Sequence, residues 1–430
     1  MNSLDLALLF FVLLTVLNYR AQRSVLYPPF LFCAMWLLDL AVFRSGLIEV
    51  YPPHGNTLAI VAGGAASFSA GGWLACLAPR ALLRIHLFPP EPRRHPRFLR
   101  NTLTIVLLCG LPVMFYQIYQ LSKLQGGGFN VLAQARLEMI EEAQNRDPSQ
   151  FELGQSFVLS YFTTIATFAS LLFATERKDR QFWIVSVIAL IACILSTGRT
   201  SILLLISGLS AIRLIQTKQE SLFGALRLLR WPIAIFLALY VGLIFTNKDI
   251  DGGTGGVTGI ATYFVLSYIV GPLAAFDKVV QNPADFAMTT SHTFEFPLKV
   301  AAALHLTDYT MPPWLDRFVF VPFGTNVYTV FKFYFLELGT VGTVVLLLFI
   351  GLLHSLLYLK ARQGGRFSLY LFAYSMFTVL MVIFDDHYYE TGVYLRVFAF
   401  GLLYFLIGSV PLRLFPKVKL EDQPQQSSSS

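Results

Sequence analysis

Long apolar runs separated by short polar connections dominate the pattern of the chain. We predict that eleven of these runs form helices that cross a membrane, because each is close to the length of about 20 apolar residues that a bilayer requires. The runs lie at 3–19, 25–43, 57–79, 101–120, 156–175, 182–196, 201–216, 231–246, 333–358, 367–385 and 392–411. The pattern therefore predicts an all-α, polytopic integral membrane protein. Residues 1–420 form one helix-bundle domain, and the polar residues 421–430 form a disordered tail.

Basic residues predict the orientation of these helices. Most of the 32 Lys and Arg residues lie in short connections beside helix ends, from Arg20 and Arg23 to Lys417 and Lys419. Such connections face the cytoplasm, so we expect the N-terminus outside and the C-terminus inside. No Lys or Arg precedes the first apolar run, so we expect an anchor there and not a cleavable signal peptide.

The more elaborate connections are predicted on the outer side, at 121–155, 247–326 and 386–391. Within the second of them, residues 257–276 carry no charge. If this segment crossed the membrane, every later basic connection would lie outside, so we interpret it as a re-entrant or interfacial helix. Gly271 and Pro272 in its middle favour a break in that helix. Residues 130–146 read as an amphipathic helix on the outer leaflet.

Composition supports this class and excludes others. Only 13% of the residues are charged, against about 25% in soluble domains, and 55% are hydrophobic. The net charge of +7 is spread over several loops, so it indicates no nucleic acid partner. The four cysteines all lie in apolar runs and are expected to be core residues. We expect no metal and no cofactor.

Arg199, in the turn 197–200, is the first candidate for chemistry. It precedes an apolar helix on the predicted outer side, where free backbone N–H groups and the helix dipole favour an anion such as phosphate. Snorkelling of the side chain to lipid headgroups is an equal alternative. Arg136, on the amphipathic helix, is a similar candidate for which snorkelling is the simpler interpretation.

The densest group of ionisable side chains lies at 385–390, with Arg396 in the following helix. Asp386, His387 and Glu390 are candidates for a general base, and the neighbouring tyrosines for a platform that stacks against sugars. A divalent metal site and a structural ion pair at a helix end are the alternatives.

The long connection 247–326 holds weaker candidates. His292 and Arg317 are each ordinary loop residues when taken alone. Asn326 and Tyr328 are better placed, because the chain there returns to the membrane.

Four stretches resemble the O-antigen/oligosaccharide repeat-unit polymerases, the Wzy family. They are TGRTS at 197–201, YIVGP at 268–272, GTNVYT at 324–329 and ELGTVG at 337–342. Their order and the eleven-helix layout also fit that family. The resemblance covers most of the chain.

The resemblance implies a glycosyltransferase of the bacterial inner membrane that acts at its periplasmic face. Such an enzyme transfers a growing glycan from undecaprenyl diphosphate to the terminal sugar of a new lipid-linked repeat unit. Undecaprenyl diphosphate leaves, so neither ATP nor a nucleotide sugar is needed. Lipid-linked oligosaccharides and membrane lipid are the implied ligands, and a chain-length regulator and a flippase the implied partners.

The resemblance also suggests roles for the candidate residues. Arginine suits a diphosphate because its planar fork binds two phosphate oxygens and stays charged. The expected diphosphate-binding residues are Arg199, Arg396, Arg317 and Arg136. The expected catalytic residues are Asp386, His387, Glu390 and His292. The expected glycan-binding residues are Asn326, Tyr328, Tyr388, Tyr389 and Trp314.

Two other functions stay open at this point. A ligase would use the same chemistry with a different acceptor. A flippase or transporter of lipid-linked glycans would place its charges along a path through the membrane, and often shows inverted repeats. The ionisable candidates gather instead at one face of the bundle.

Overall fold

The computed structural model describes residues 2–47, 50–78, 97–124, 131–145, 157–176, 178–196, 199–227, 230, 234, 257–288, 290–310, 317–321, 323–388 and 391–409. Its helices are α1 (Ser3–Gln22), α2 (Pro28–Ser45), α3 (Gly55–Leu77), α4 (Arg97–Leu124), α5 (Val131–Asn145), α6 (Phe157–Glu176), α7 (Arg180–Leu195), α8 (Arg199–Thr217), α9 (Val257–Gln281), α10 (Glu295–Ala303), α11 (Phe331–Arg362), α12 (Arg366–Leu380) and α13 (Thr391–Ser409). A 3₁₀ turn (Pro283–Phe286) follows α9, and two short strands, β1 (Val319–Phe320) and β2 (Gly324–Thr325), pair antiparallel before α11.

The helical, membrane-spanning character predicted from the sequence is confirmed. Among the described residues, seven helices are long and apolar enough to cross a bilayer: α1, α2, α3, α4, α6, α8 and α11. Shorter apolar helices lie in α7, α12 and α13. The predicted run at 231–246 lies outside the described residues except for position 234, and the tail 421–430 lies wholly outside them. The number of spans and their orientation stay predictions.

The predicted break at Gly271 and Pro272 is wrong, because α9 runs without interruption past both residues. A proline inside a helix removes one hydrogen bond, a loss that neighbouring helices can compensate in a membrane bundle. Leu273 and Phe276 are fully buried in a core shared with α2 and α3. The second half of α9 therefore lies within the bundle and not along its surface.

A carboxylate of α9 binds the first turn of α3. Asp277 accepts hydrogen bonds from the His54 backbone N–H at 2.9 Å and from the Thr57 hydroxyl at 2.5 Å. The first N–H groups of a helix have no partner within the helix, so a carboxylate there is stabilising. This contact places the C-terminal half of α9 at the end of α3 that is predicted to face outward.

Two apolar cores hold the bundle together. One joins α6, α7, α8, α12 and α13, and the other joins α1, α2, α3, α9 and the start of α11. The second half of α11 links them, with Leu347 in one core and Tyr358 in the other.

Glycines bring α3 and α11 into direct backbone contact. A Cβ atom at Gly71 would lie 2.1 Å from the carbonyl oxygen of Leu348, and a Cβ at Gly351 would lie 2.2 Å from that of Phe68. Small residues at such positions let two membrane helices approach closely. Positions in α3 and α11 increase together along the contact, so the two helices run parallel.

The long helix α11 reverses direction at Gly339. This residue has φ 65° and ψ −175°, a conformation that is essentially restricted to glycine. The ring of Phe331 and a methyl group of Leu347 both lie against Gly64, although the two residues are sixteen positions apart along the chain. The first limb of α11, residues 331–338, therefore begins deep beside the second limb, residues 340–362.

The reversal carries non-helical backbone into the interior of the bundle. The segment before α11 hydrogen bonds to the segment after α12, from the Val330 N–H to the Val382 carbonyl at 3.1 Å. Within a membrane protein, non-helical backbone at this depth is tolerated only where it is buried in protein or lines a cavity. The candidate site is built around this junction.

At the other end of α11, Glu220 joins three parts of the chain. Its carboxylate accepts hydrogen bonds from Ser24 at 2.6 Å and Tyr358 at 2.7 Å, and it lies 3.2 Å from Arg362. We expect Glu220→Ala to lower the thermal unfolding temperature by several degrees, reflecting a loss of about 2 kcal/mol, since two buried hydroxyls lose their acceptor. Thermal unfolding of the purified protein in detergent measures the change.

The matched control is Arg44→Ala, which removes the partner of Asp5 in an exposed ion pair of 2.8 Å and leaves Asp5 in the capping box of α1. Exposed pairs contribute about 0–1 kcal/mol, so this variant is expected to unfold within one or two degrees of the parent. Equal effects of the two substitutions would contradict the assigned role of Glu220.

Candidate active site

Asp386 is the centre of the site, and its position follows from the length of α12. The helix was predicted to extend to residue 385 but ends at Leu380, and turns follow it. Residues 381–388 consequently lie beside the first limb of α11 and not at the end of a longer helix. The side chain of Asp386 is completely buried there. The sequence placed Asp386 in a connection on the outer side and gave no indication of this burial.

Hydrogen bonds hold one oxygen of the Asp386 carboxylate. Oδ1 accepts from the Tyr334 hydroxyl at 2.9 Å and from the Tyr388 backbone N–H at 2.9 Å. The backbone N–H of Asp386 itself donates to Oδ1 of Asp385 at 2.7 Å. The second oxygen, Oδ2, is buried and accepts no hydrogen bond from any described residue. A fixed carboxylate with one unused oxygen can accept a hydrogen bond from a ligand.

The surroundings of Asp386 raise its affinity for a proton. The residue lies in the connection between α12 and α13, and burial raises the pKa of its carboxyl to about 7. The hydrogen bonds from Tyr388 and Tyr334 lower the pKa in part, and the charge of Asp385 raises it further. A carboxylate with a pKa near neutrality is suited to general base catalysis at neutral pH.

A second hydrogen-bond chain fixes the turn that carries Asp386. The Tyr388 hydroxyl lies 3.2 Å from Nδ1 of His354, and Nε2 of His354 lies 2.8 Å from the Ser375 hydroxyl. Ser375 donates its hydrogen to the Phe372 carbonyl, so it accepts from Nε2. His354 is thereby assigned as the neutral Nε2–H tautomer, and its Nδ1 accepts from Tyr388.

This arrangement gives Tyr388 a different role from the predicted one. The sequence suggested a ring exposed for stacking against a sugar, but its hydroxyl is bound inside the bundle. His387 packs its ring against Phe377 at 4.8 Å between ring centroids. Both residues therefore lie in the same buried turn as Asp386.

The first limb of α11 also carries a buried cation. Lys332 is 4% exposed, and its Nζ atom lies 3.8 Å from the ring centroid of Tyr328 and 4.8 Å from that of Phe333. Tyr328 is itself buried, and its hydroxyl donates to the Arg317 carbonyl at 2.8 Å. Its ring is thus covered by protein and offers no open face to a sugar, unlike the platform that the sequence predicted.

His292 lies in the turn before α10 and packs against the same limb, with its ring stacked on Phe333 at 4.2 Å. The carboxylate of Glu337 holds the turn around it, accepting from the Ser291 hydroxyl at 2.6 Å and the His292 backbone N–H at 2.7 Å. His292 and Asp386 therefore both contact α11 near its start, through adjacent residues of the helix.

Two of the predicted diphosphate-binding arginines have described side chains, and the two contact different parts of the protein. The guanidinium of Arg317 donates to the Asp285 carbonyl at 2.8 Å, and that of Arg396 lies 5.6 Å from the Tyr161 ring. Arg199 is the first residue of α8 and Arg136 lies within α5, but their side chains lie outside the described part of the chain.

The remaining candidates are placed only in part. Asn326 lies half-buried between β2 and α11. Glu390, Tyr389 and Trp314 lie outside the described residues.

Sequence reasoning missed Tyr334, His354 and Ser375, which position Asp386 and its turn. A signal for one of them was present, because His354 lies in an otherwise apolar helix, and an ionisable residue there indicates a functional role. Tyr334 gave no such signal, since a tyrosine is ordinary in a membrane helix.

Comparison of the chain with family models, with curated proteins and with solved structures found no match.

Proposed function

We propose that the chain is a membrane glycosyltransferase that polymerises oligosaccharide repeat units linked to undecaprenyl diphosphate. The observation that carries the proposal is the buried carboxylate of Asp386, with Oδ1 held by two donors and Oδ2 unused among the described residues. A sugar hydroxyl bound at Oδ2 would meet a fixed acceptor for its proton. The proposed location is the periplasmic face of a bacterial inner membrane.

Three of the four stretches that resemble the Wzy family lie near the turn that carries Asp386, which supports the proposal. Tyr268, in the stretch 268–272 within α9, packs its ring 5.3 Å from Phe384. The stretch 324–329 leads to Val330, which hydrogen bonds to Val382. The stretch 337–342 contains the reversal at Gly339, which places Tyr334 against Asp386.

The proposed reaction balances without a further reactant. The acceptor hydroxyl transfers its proton to Asp386 while its oxygen forms a bond to the anomeric carbon of the donor glycan. The bond between that carbon and the diphosphate oxygen breaks, and the lipid diphosphate leaves with the electron pair. Cations near the leaving group stabilise the developing negative charge, a role that we assign to Arg199 and Arg396.

The test is glycan synthesis by the purified protein in lipid nanodiscs, supplied with one lipid-linked repeat unit. We expect a ladder of products, and we expect Arg199→Ala and Arg396→Ala each to shorten or remove it, with at least a tenfold lower rate. Arg44→Ala, which alters only an exposed ion pair, is the control that is expected to retain the full ladder.

Other outcomes identify the alternative functions. Transfer only to a different lipid acceptor would replace the proposal with a ligase. Movement of lipid-linked glycan across sealed vesicles, without any ladder, would replace it with a transporter. An unchanged ladder in both arginine variants, each present in the membrane at the parental level, would overturn the assignment of the arginines.

A further inference from the structure

A cleft on the predicted outer side lies apart from Asp386 and has no role in the chemistry above. It consists of two adjoining cavities of about 250 and 350 Å³, which share Lys278 at the end of α9. The 3₁₀ turn and β1 line the first cavity, and Tyr51 and His54, before α3, line the second. We call the two cavities together the Lys278 cleft.

Two cations face the Lys278 cleft. Among the described residues, neither Lys278 nor Arg317 forms an ion pair with a carboxylate, and both are exposed. Arg317 uses one N–H for the Asp285 carbonyl, which leaves most of its donors to other partners. Asp285 also lines the cleft, and the carboxylate of Asp277 is occupied by His54 and Thr57. With the carboxylates of Asp277 and Asp285, the formal charges of the lining sum to zero; among the described residues, the donors of Lys278 and Arg317 are the groups that can bind an anionic ligand.

Aromatic rings lie beside these cations. Phe318 and Phe320 are 64% and 68% exposed, so their rings are available to pack against a ligand in the cleft. The Arg317 guanidinium lies 5.7 Å from the Phe286 ring, and the Lys278 ammonium 5.6 Å from the Tyr51 ring. Asn282 adds an amide that can both donate and accept hydrogen bonds.

This combination favours one class of ligand. A pyranose ring has an apolar face, which packs against an aromatic ring, and hydroxyl groups, which bind an amide. A carboxylate on the sugar would bind the two cations with charge-assisted hydrogen bonds. Insertion into a bilayer fits less well, because Asp285, Asn282 and two cations would enter the membrane with the phenylalanines.

The Lys278 cleft is joined to the candidate active site by a short path through the protein. The ring of Tyr328 lies 6.2 Å from Phe286, and its hydroxyl binds the Arg317 carbonyl. Lys332 covers the same ring, and Tyr334, two residues later, donates to Asp386. A glycan held in the cleft would therefore be connected to Asp386 through neighbouring residues at the start of α11.

We propose that the Lys278 cleft binds sugar residues that carry a carboxylate, as in an acidic oligosaccharide. The inference rests on the proposed function, since it identifies the substrate as an acidic glycan. Lys278 and Arg317 bind the carboxylate, and Phe318 and Phe320 pack against the sugar rings.

The test measures binding of two tetrasaccharides to the full-length protein in detergent by titration calorimetry. Tetragalacturonate carries carboxylates, and maltotetraose of equal length is neutral. We expect tetragalacturonate to bind at least tenfold more tightly, and we expect the Lys278→Gln, Arg317→Gln double variant to lose that difference. Raising the salt concentration is expected to weaken only the acidic ligand.

Matched variants separate the cleft from a general effect of charge. Lys299→Gln removes a cation that pairs with Glu295 on α10, outside the cleft, and is expected to retain the preference. Phe318→Ala is expected to weaken both tetrasaccharides, since stacking does not depend on charge. Equal affinity of the parent for both ligands, or a double variant that still prefers tetragalacturonate, would overturn the proposal.

Two further measurements separate the possible explanations. Binding to vesicles distinguishes a sugar ligand from a lipid headgroup, and ladder synthesis tests the proposed polymerase independently of the cleft. Binding of the parent to anionic vesicles that the double variant loses, without binding of tetragalacturonate, would reassign the cleft to lipid headgroups and overturn the proposal. Preferential binding of tetragalacturonate without ladder synthesis would refute the polymerase while supporting the cleft. Ladder synthesis without that preference would refute the cleft alone.

Discussion

Asp386→Asn is expected to reduce glycan polymerisation by about 10²–10⁴-fold, the contribution typical of a general base. Asparagine has nearly the same shape, and its carbonyl oxygen can still accept from Tyr334 and from the Tyr388 N–H. The turn is therefore expected to keep its structure while the group that accepts the proton is lost. Ladder synthesis by the purified variant in nanodiscs measures the rate, and its melting temperature shows that the fold is retained.

The pH dependence provides an independent readout of the same carboxylate. A base must be unprotonated to act, so the rate of the parent is expected to rise as the pH increases through about 7, the pKa of Asp386. Asp385→Asn is the matched control: it removes a charge that raises this pKa, while its side-chain oxygen can still accept from the Asp386 N–H. We expect this variant to keep its maximal rate and to reach it at lower pH.

Two results would count against Asp386 as the base. One is an Asp386→Asn variant that retains the parental rate and pH profile. The other is an Asp385→Asn variant whose loss of rate is as large as that of Asp386→Asn at every pH, since the charge of Asp385 has only an indirect role here.

Gly71→Ala is expected to cause the largest loss of stability, about 3 kcal/mol, because the added Cβ has no space. It would lie 2.1 Å from the Leu348 carbonyl oxygen and 2.7 Å from the Leu352 N atom, and backbone atoms cannot move aside as a side-chain end can. The parallel helices α3 and α11 would have to separate, which disturbs the start of α11 as well. Melting temperature and yield in the membrane measure the effect.

Gly63→Ala is the matched control on the same helix. Its Cβ would meet only a methyl group of Val344 at 3.8 Å, an ordinary contact. Since alanine is favoured over glycine within a helix by about 1 kcal/mol, this variant is expected to be as stable as the parent or slightly more stable. If both variants were equally stable, the close contact between α3 and α11 would be contradicted.

The sequence by itself determined where most helices lie. Apolar runs at 3–19 and 57–79 correspond to α1 and α3, with ends that differ by a few residues, whereas the reversal at Gly339 divides the run at 333–358 between the two limbs of α11. This succeeds because the length of an apolar run and its flanking polar residues are local properties of the chain. The amphipathic run at 130–146 likewise corresponds to α5. The sequence named Asp386 as one of several equal candidates for a general base. It did not identify the residues that position its carboxylate.

Only the tertiary structure decided how deep each polar group lies. The chain ends α12 at Leu380 and reverses α11 at Gly339, and these two events together bring Tyr334 to Asp386 from 52 positions away. The packing of Phe331 and Leu347 against Gly64 determines how deep this part of α11 lies in the bundle. The pattern of apolar residues along the chain does not predict that contact. Burial raises the pKa of Asp386, and the hydrogen bonds to its Oδ1 leave Oδ2 without a donor among the described residues; both result from segments that only the fold brings together.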